Sequence, residues 1–263
     1  MRRFPSGIRL FVQGAGVFRP DFILNHDENA IAGEGRFNAP KAGAKRANET
    51  GAAMSRRIDY YFSLVSPWAY IGHAHFTDLA RRHGVGVAYR PVLLNDVFSE
   101  TGGLPLARRH PARQAYRMVE LQRWRERRKL AFHLWPKYWP YDADLANCAV
   151  LALVALGADP AAFVQKAFTG IWEREENLAD AAILSGLLGE AGFDAPSVLA
   201  SANSPAIREA YEGNRLEAIR IGVFGAPSYV LDGEIFWGQD RLELLADMLA
   251  SGRAPFVAQP RIA

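Results

Sequence analysis

The apolar positions of this chain change period twice. Ile58–Ser63 is a β-prone run, and from about Pro67 to Arg82 apolar residues recur at three-to-four spacing, so a strand feeds a helix. Gly84 stops that helix, and Val85–Leu94 reads as a second strand. Strand, helix and strand in that order form a βαβ unit, whose two strands run parallel. Phe98–Pro111, rich in Gly and Pro, reads as a loop. Helical spacing then governs Arg113–Lys129, Asp142–Leu156, Pro160–Arg174, Asp180–Ala191 and Pro205–Ile221, with Pro136, Pro140, Gly157 and Gly192 in the breaks. Gly222 sits where a C-terminal glycine cap belongs. The period then shortens again: Ser228–Leu231 and Glu234–Trp237 are short β-prone runs joined by Asp232-Gly233, a tight hairpin signal. A last helix starts at Gln239-Asp240-Arg241-Leu242-Glu243. The order is βαβ, a helical block, then ββα, with no internal repeat.

Ser66-Pro67 and Ser204-Pro205 each offer a capping hydroxyl followed by proline at the first helical position, where a missing N–H costs nothing. At Ser66 the cap lies between a strand and a helix. One hydroxyl is thereby placed at the positive end of the helix. Thioredoxin-like redox enzymes carry a reactive cysteine at that point, whereas Ser66-Pro67-Trp68-Ala69 has no sulfur. The setting suits a thiolate, but the thiol must come from elsewhere.

Residues 1–53 differ in character: they are rich in Gly, Ala, Asn and Arg and lack sustained periodicity. Phe11–Val17 is too short and too interrupted by Gly for a secretory core. Met54-Ser55-Arg56-Arg57 directly precedes the first strand, so the simplest expectation is a natural start at Met54 and a disordered extension before it. A genuine disordered tail or a transit peptide is the competing reading, and Asp21, Asp27, Glu28 and Glu34 count against the transit peptide.

Composition narrows the chemistry. With 263 residues, 49% of them hydrophobic, the chain can build a substantial core. The formal charge is only +3, and much of the basic excess, Arg123, Arg125, Arg127, Arg128 and Lys129, reads as a solvated helix face without a nucleic-acid-binding motif. The single cysteine, Cys148, excludes an intramolecular disulfide, and its apolar helical run marks a buried structural thiol. His73 and His75 are two apart on a helix and face apart, and no histidine spacing suggests a metal. No stretch is long and apolar enough to span a membrane, which predicts a soluble cytoplasmic protein.

Three motifs carry a resemblance: Phe62-Ser63-Leu64-Val65-Ser66-Pro67-Trp68-Ala69-Tyr70, Phe224-Gly225-Ala226-Pro227-Ser228 and Trp237-Gly238-Gln239-Asp240-Arg241-Leu242. In order and spacing the chain resembles the glutathione-dependent 2-hydroxychromene-2-carboxylate isomerases, relatives of kappa-class glutathione transferases in the DsbA-like thioredoxin group. The resemblance covers roughly residues 57–250. It implies an α/β, thioredoxin-like fold, with residues 57–97 and 222–252 forming the thioredoxin-like part and 98–221 a helical insertion.

The resemblance also implies roles. Ser66 would hydrogen-bond the sulfur of bound glutathione and favour the thiolate, beside its role as a cap. A cis bond at Ala226-Pro227 would leave the Ala226 N–H and C=O free to pair with the cysteinyl backbone. Asp240 and Glu243 fit a capping box, while the helix start suits the γ-glutamyl carboxylate and Asp240 its ammonium group. Gly238 permits close approach, Gln239 offers an amide contact, and Trp237 is either core or ligand wall. For the acceptor, Arg108 or Arg113 would take a carboxylate and Tyr138 or Trp139 an aromatic ring. Some isomerases have a lysine in the loop after the second strand; Phe98 is the nearest match here.

These features predict an enzyme that isomerises an aromatic α-keto acid with glutathione. Net glutathione transfer and noncatalytic binding of a thiol peptide or partner protein remain the alternatives. A homodimer is expected by family analogy only.

Overall fold

The computed structural model describes residues 56–140 and 142–258. The expected start at Met54 and the extension before it lie outside the described residues. The described residues open with β1 (Arg57–Phe62), α1 (Pro67–Arg82) and β2 (Gly86–Pro91). The helical block holds α2 (Leu94–Thr101), α3 (Pro111–Arg128), α4 (Asp144–Ala155), α5 (Ala161–Trp172), α6 (Ala181–Glu190), α7 (Ala195–Ala202) and α8 (Pro205–Ile221). The chain then returns through β3 (Ser228–Leu231) and β4 (Glu234–Trp237) to α9 (Leu242–Ser251). The sheet order is β2-β1-β3-β4, with β1 parallel to β2 and the other two pairings antiparallel. The β3–β4 turn has positive φ at both Asp232 (51°) and Gly233 (88°), the backbone of a type I′ hairpin.

β1 is one of the two inner strands and is buried on both faces. Ile58, Tyr60 and Phe62 enter the main core with α1 and the helical block, while Tyr61 packs on the other side with Val92, Val97, Ala218 and Val223. The main core is rich in stacked rings: Tyr60 lies 5.3 Å from its cross-strand partner Tyr229, with ring planes 6° apart. It continues without a break into Leu153, Phe168 and Trp172 of the helical block.

Three expectations are corrected. The stretch expected as a loop from Phe98 contains the second half of α2 and a 3₁₀ turn at Leu106–Arg108. α2 forms because Val97 fills the second face of the sheet, and it ends at Gly102 with φ 79°. β2 is shorter than Val85–Leu94, since the chain leaves the sheet after Pro91 to open α2. The basic face at the end of α3 is only partly solvated. Arg125 lies over Phe132 and Arg128 over Trp124, both half-buried. No helix among the described residues is long and apolar enough to cross a membrane.

Candidate active site

The β1–α1 turn is built by local hydrogen bonds. The Ser66 N–H donates to the Ser63 carbonyl at 3.0 Å and closes the turn. Ser66 then caps α1, accepting from the Ala69 N–H at 3.3 Å, with Pro67 at the first helical position. Ser66 is only 4% exposed. The two carbonyls between Ser63 and Ser66 are held from the helical block. Leu64 accepts from the Trp172 indole N–H at 3.3 Å, and Val65 accepts from the Trp139 indole N–H at 3.2 Å. The turn carrying Ser66 is therefore clamped by two tryptophans of the helical block.

The other two motifs meet this turn. Ala226–Pro227 is a cis peptide. The Ser66 hydroxyl lies 3.4 Å from the Ala226 carbonyl, and the Pro227 carbonyl accepts from the Gly238 N–H at 2.8 Å. The Ala226 carbonyl is thus in contact with Ser66 and not free as expected. The contact is long for an O–H···O bond, whose heavy atoms ordinarily sit at about 2.5–3.0 Å, so it is readily exchanged for a better acceptor.

Gly238 has φ 104°, a conformation that L side chains rarely adopt, and turns the chain from β4 into a 3₁₀ turn at Gln239–Arg241. That turn overturns the expected capping box: α9 begins only at Leu242, and neither it nor the 3₁₀ turn has a side-chain cap. Asp240 instead pairs with the adjacent Arg241 at 2.8 Å and is exposed. Gln239 is 2% exposed, with its side chain packed against Gly72 of α1 and its Oε1 unpartnered among the described residues. Trp237 is no core residue: it is 51% exposed, with its ring edge-on to Phe224 at 4.6 Å.

Of the acceptor residues expected from sequence, Trp139 touches the Ser66 turn directly. Arg113 lies at the start of α3 and is exposed. Arg108 is exposed in its 3₁₀ turn, and Tyr138 is exposed with Lys137 4.9 Å from its ring centroid; no described contact ties either one to the Ser66 turn. Two residues escaped the sequence reading. Trp172 was unremarkable in an apolar helix. Arg117, one turn after Arg113, lies 5.6 Å from the centroid of the Trp139 ring. Burial, and then the charge of Arg109, lowers Arg117 to about 10. Cys148 is fully buried in α4, and burial raises its thiol, as befits an inert structural cysteine.

The order of strands, the serine cap, the cis proline and the helical block between β2 and β3 now meet in one chain, and residues 57–250 match the family model of the DSBA-like thioredoxin domain. The chain belongs to that family. Within it, the 2-hydroxychromene-2-carboxylate isomerase of Sphingobium xenophagum is 33% identical over 198 residues, covering 74% of this chain and 99% of the relative. Glutathione S-transferase kappa 1 of Caenorhabditis elegans is 27% identical over 206 residues, covering 73% and 90%. A solved structure of a 2-hydroxychromene-2-carboxylate isomerase superposes with a TM-score of 0.66 at 25% identity, covering 74% of this chain and 95% of that one. The family resemblance read from the three motifs and the thioredoxin-like fold both hold. At the start of α1 in this DSBA-like chain, Ser66-Pro67-Trp68-Ala69 has no sulfur, and a serine hydroxyl occupies the helix terminus.

Proposed function

We propose that this chain is a glutathione-dependent isomerase that interconverts 2-hydroxychromene-2-carboxylate and trans-o-hydroxybenzylidenepyruvate, or a related aromatic 2-oxo acid. Ser66 carries the reading: its hydroxyl stands at the N-terminus of α1 against the cis Ala226–Pro227 segment, in a chain whose one cysteine is buried in α4. A site shaped for a thiolate but lacking a thiol calls for a thiol ligand. The isomerase and kappa-class relatives support that reading.

The residues fit glutathione. The long Ser66–Ala226 contact leaves the hydroxyl proton open to a sulfur anion. Opening of the 2-hydroxychromene ring breaks its C–O bond and frees the 2-oxo group that conjugates the alkene; glutathione, when bound, would supply the thiolate that adds reversibly to that alkene, so that the resulting single bond could rotate before the thiolate departs. Ser66 donates to that sulfur, and the first amides of α1 favour its negative charge. The Ala226 backbone pairs with the cysteinyl unit. The amides that open the Gln239–Arg241 turn receive the γ-glutamyl carboxylate, since a helix's first N–H groups have no partner within it. Asp240 meets the ammonium group, and Gly238 and Trp237 line the approach. Trp139 receives the aromatic ring, with Tyr138, Arg108 and Arg113 toward the outer rim.

The test is conversion of a panel of hydroxybenzylidenepyruvates, followed by ultraviolet absorbance with and without glutathione. Conversion that requires glutathione and releases it unchanged supports the isomerase. A thioether retained in the product points to net transfer, and binding of glutathione without turnover points to a noncatalytic member.

A further inference from the structure

Arg109, Arg113 and Arg117 form no ion pair among the described residues, although most other arginines of the folded part do. Arg109 and Arg117 are both half-buried; Arg109 donates to the Leu104 carbonyl at 2.8 Å, whereas the only acceptor the Arg117 guanidinium meets among the described residues is the Met118 thioether at 3.6 Å, a weak one. A desolvated cation without a carboxylate is costly. One face of the guanidinium is backed by Trp139, whose indole N–H holds the carbonyl next to Ser66. Arg109 lies over the ring of Phe98 at 5.7 Å, so a second guanidinium stands near Arg117, in the turn before α3.

We infer that Arg117, backed by Trp139 and flanked by Arg109, binds the carboxylate of the acceptor substrate and sets a preference for 2-oxo acids over neutral enones. This rests on the isomerase reading above. The guanidinium fork matches a carboxylate in bidentate geometry, while the ring behind it fixes its plane. In a benzylidenepyruvate the carboxylate carbon is three bonds from the electrophilic alkene carbon. One end of the molecule is thereby anchored while the other faces the sulfur at Ser66. Glutathione also carries carboxylates, so the test must separate the two sources.

The full chain, Arg117→Met and Arg117→Lys are compared on trans-o-hydroxybenzylidenepyruvate and on its methyl ester, with glutathione saturating. Arg117→Met should lose about 10- to 150-fold in kcat/KM on the acid, mainly through KM, as expected for a lost hydrogen bond to a charged group. On the ester the loss should stay below about threefold, within the range of an ordinary surface change. Arg117→Lys keeps the charge and the apolar stem, and its acid-to-ester ratio should fall between the other two. Glutathione affinity, measured by calorimetry, should be unchanged. Equal losses on acid and ester, or weakened glutathione binding in place of weakened acid use, overturn the inference. A second arm needs no turnover: the saturated acid 4-(2-hydroxyphenyl)-2-oxobutanoate should change tryptophan fluorescence in the natural chain and much less in Arg117→Met. Arg117-dependent binding of that acid by a chain that does not isomerise supports the arginine's role and contradicts the isomerase reading. Isomerisation with an unimpaired Arg117→Met does the reverse.

Discussion

The indole N–H of Trp139 donates to the carbonyl of Val65 at 3.2 Å, and Val65 is the residue before Ser66. A side chain 74 positions away therefore holds the turn that presents the candidate sulfur-activating hydroxyl. Its own ring in turn supports Arg117. Trp139→Phe keeps an aromatic ring, though a smaller one, and removes the N–H. A neutral hydrogen bond contributes about 0.5–1.5 kcal/mol net, so Tm should fall by about 1–6 °C for a domain of this size. Activity should fall more than stability implies, because Ser66 loses its support. Thermal melts and kcat/KM on the same preparation check this; a lower Tm with unchanged kcat/KM would remove Trp139 from the site.

Gly72 is where α1 rests on the turn after β4. A Cβ there would lie 2.6 Å from the Gln239 Cβ and 3.0 Å from the Tyr229 hydroxyl. Gly72→Ala gains helix propensity, about 1 kcal/mol at most, but must push apart two elements that frame the site. Overpacking of this kind costs about 1–3 kcal/mol, so the variant should be destabilised in urea and bind glutathione less tightly. A variant as stable as the natural chain would mean that the contact is slack.

His73 is 2% exposed, stacked near Tyr60 and Phe168, with its Nδ1 unpartnered among the described residues. Burial lowers its imidazole from 6.5 to about 3. Between those two values the unfolded chain takes up a proton that the folded chain refuses. The His73 contribution is thus fully present above pH 6.5 and is lost as pH falls toward 3. The slope is about 1.4 kcal/mol per pH unit. The difference between the stability profiles of the natural chain and His73→Gln should show that slope, and parallel profiles would contradict it.

Asp240 offers a cleaner test of ligand binding than the sequence suggested. Among the described residues it caps no helix and pairs only with its exposed neighbour Arg241, an arrangement of small energetic weight. Asp240→Asn should leave Tm within about 2 °C of the natural chain and weaken glutathione by calorimetry. Unchanged affinity would place the ligand's ammonium group elsewhere.

What the sequence revealed was local. Ser66-Pro67 announces a cap by residue type, Asp232-Gly233 a hairpin, and Gly222 a helix end with φ 87°. α2 was hidden because its eight residues lack a side-chain cap and bury only Val97, a pattern too short to distinguish from a loop. α7, Ala195–Ala202, is equally short, lacks a side-chain cap and falls in the gap between the Asp180–Ala191 and Pro205–Ile221 segments. The capping box at Asp240 failed because Gly238 starts a 3₁₀ turn that delays α9 to Leu242. Trp172 and Arg117 gave no signal because their roles arise across the fold; Trp172 reaches a carbonyl 108 residues away. Cap, turn and hairpin chemistry is written in neighbouring residues, whereas a clamp or an unpaired cation appears only once the helical block is folded.

The central claim is that Ser66 activates a thiol brought by the ligand. The most direct measurement is titration of the glutathione thiol bound to the natural chain and to Ser66→Ala, followed by thiolate absorbance in the ultraviolet. Ser66→Ala also removes the cap on α1, about 1 kcal/mol of stability, so both proteins are titrated well below their melting temperatures. The account predicts a bound thiol pKa below that of free glutathione in the natural chain. In the variant it should rise by about 1–2 pH units, the equivalent of one hydrogen bond to a charged acceptor, with glutathione still bound. The same thiol pKa in both proteins would contradict the account.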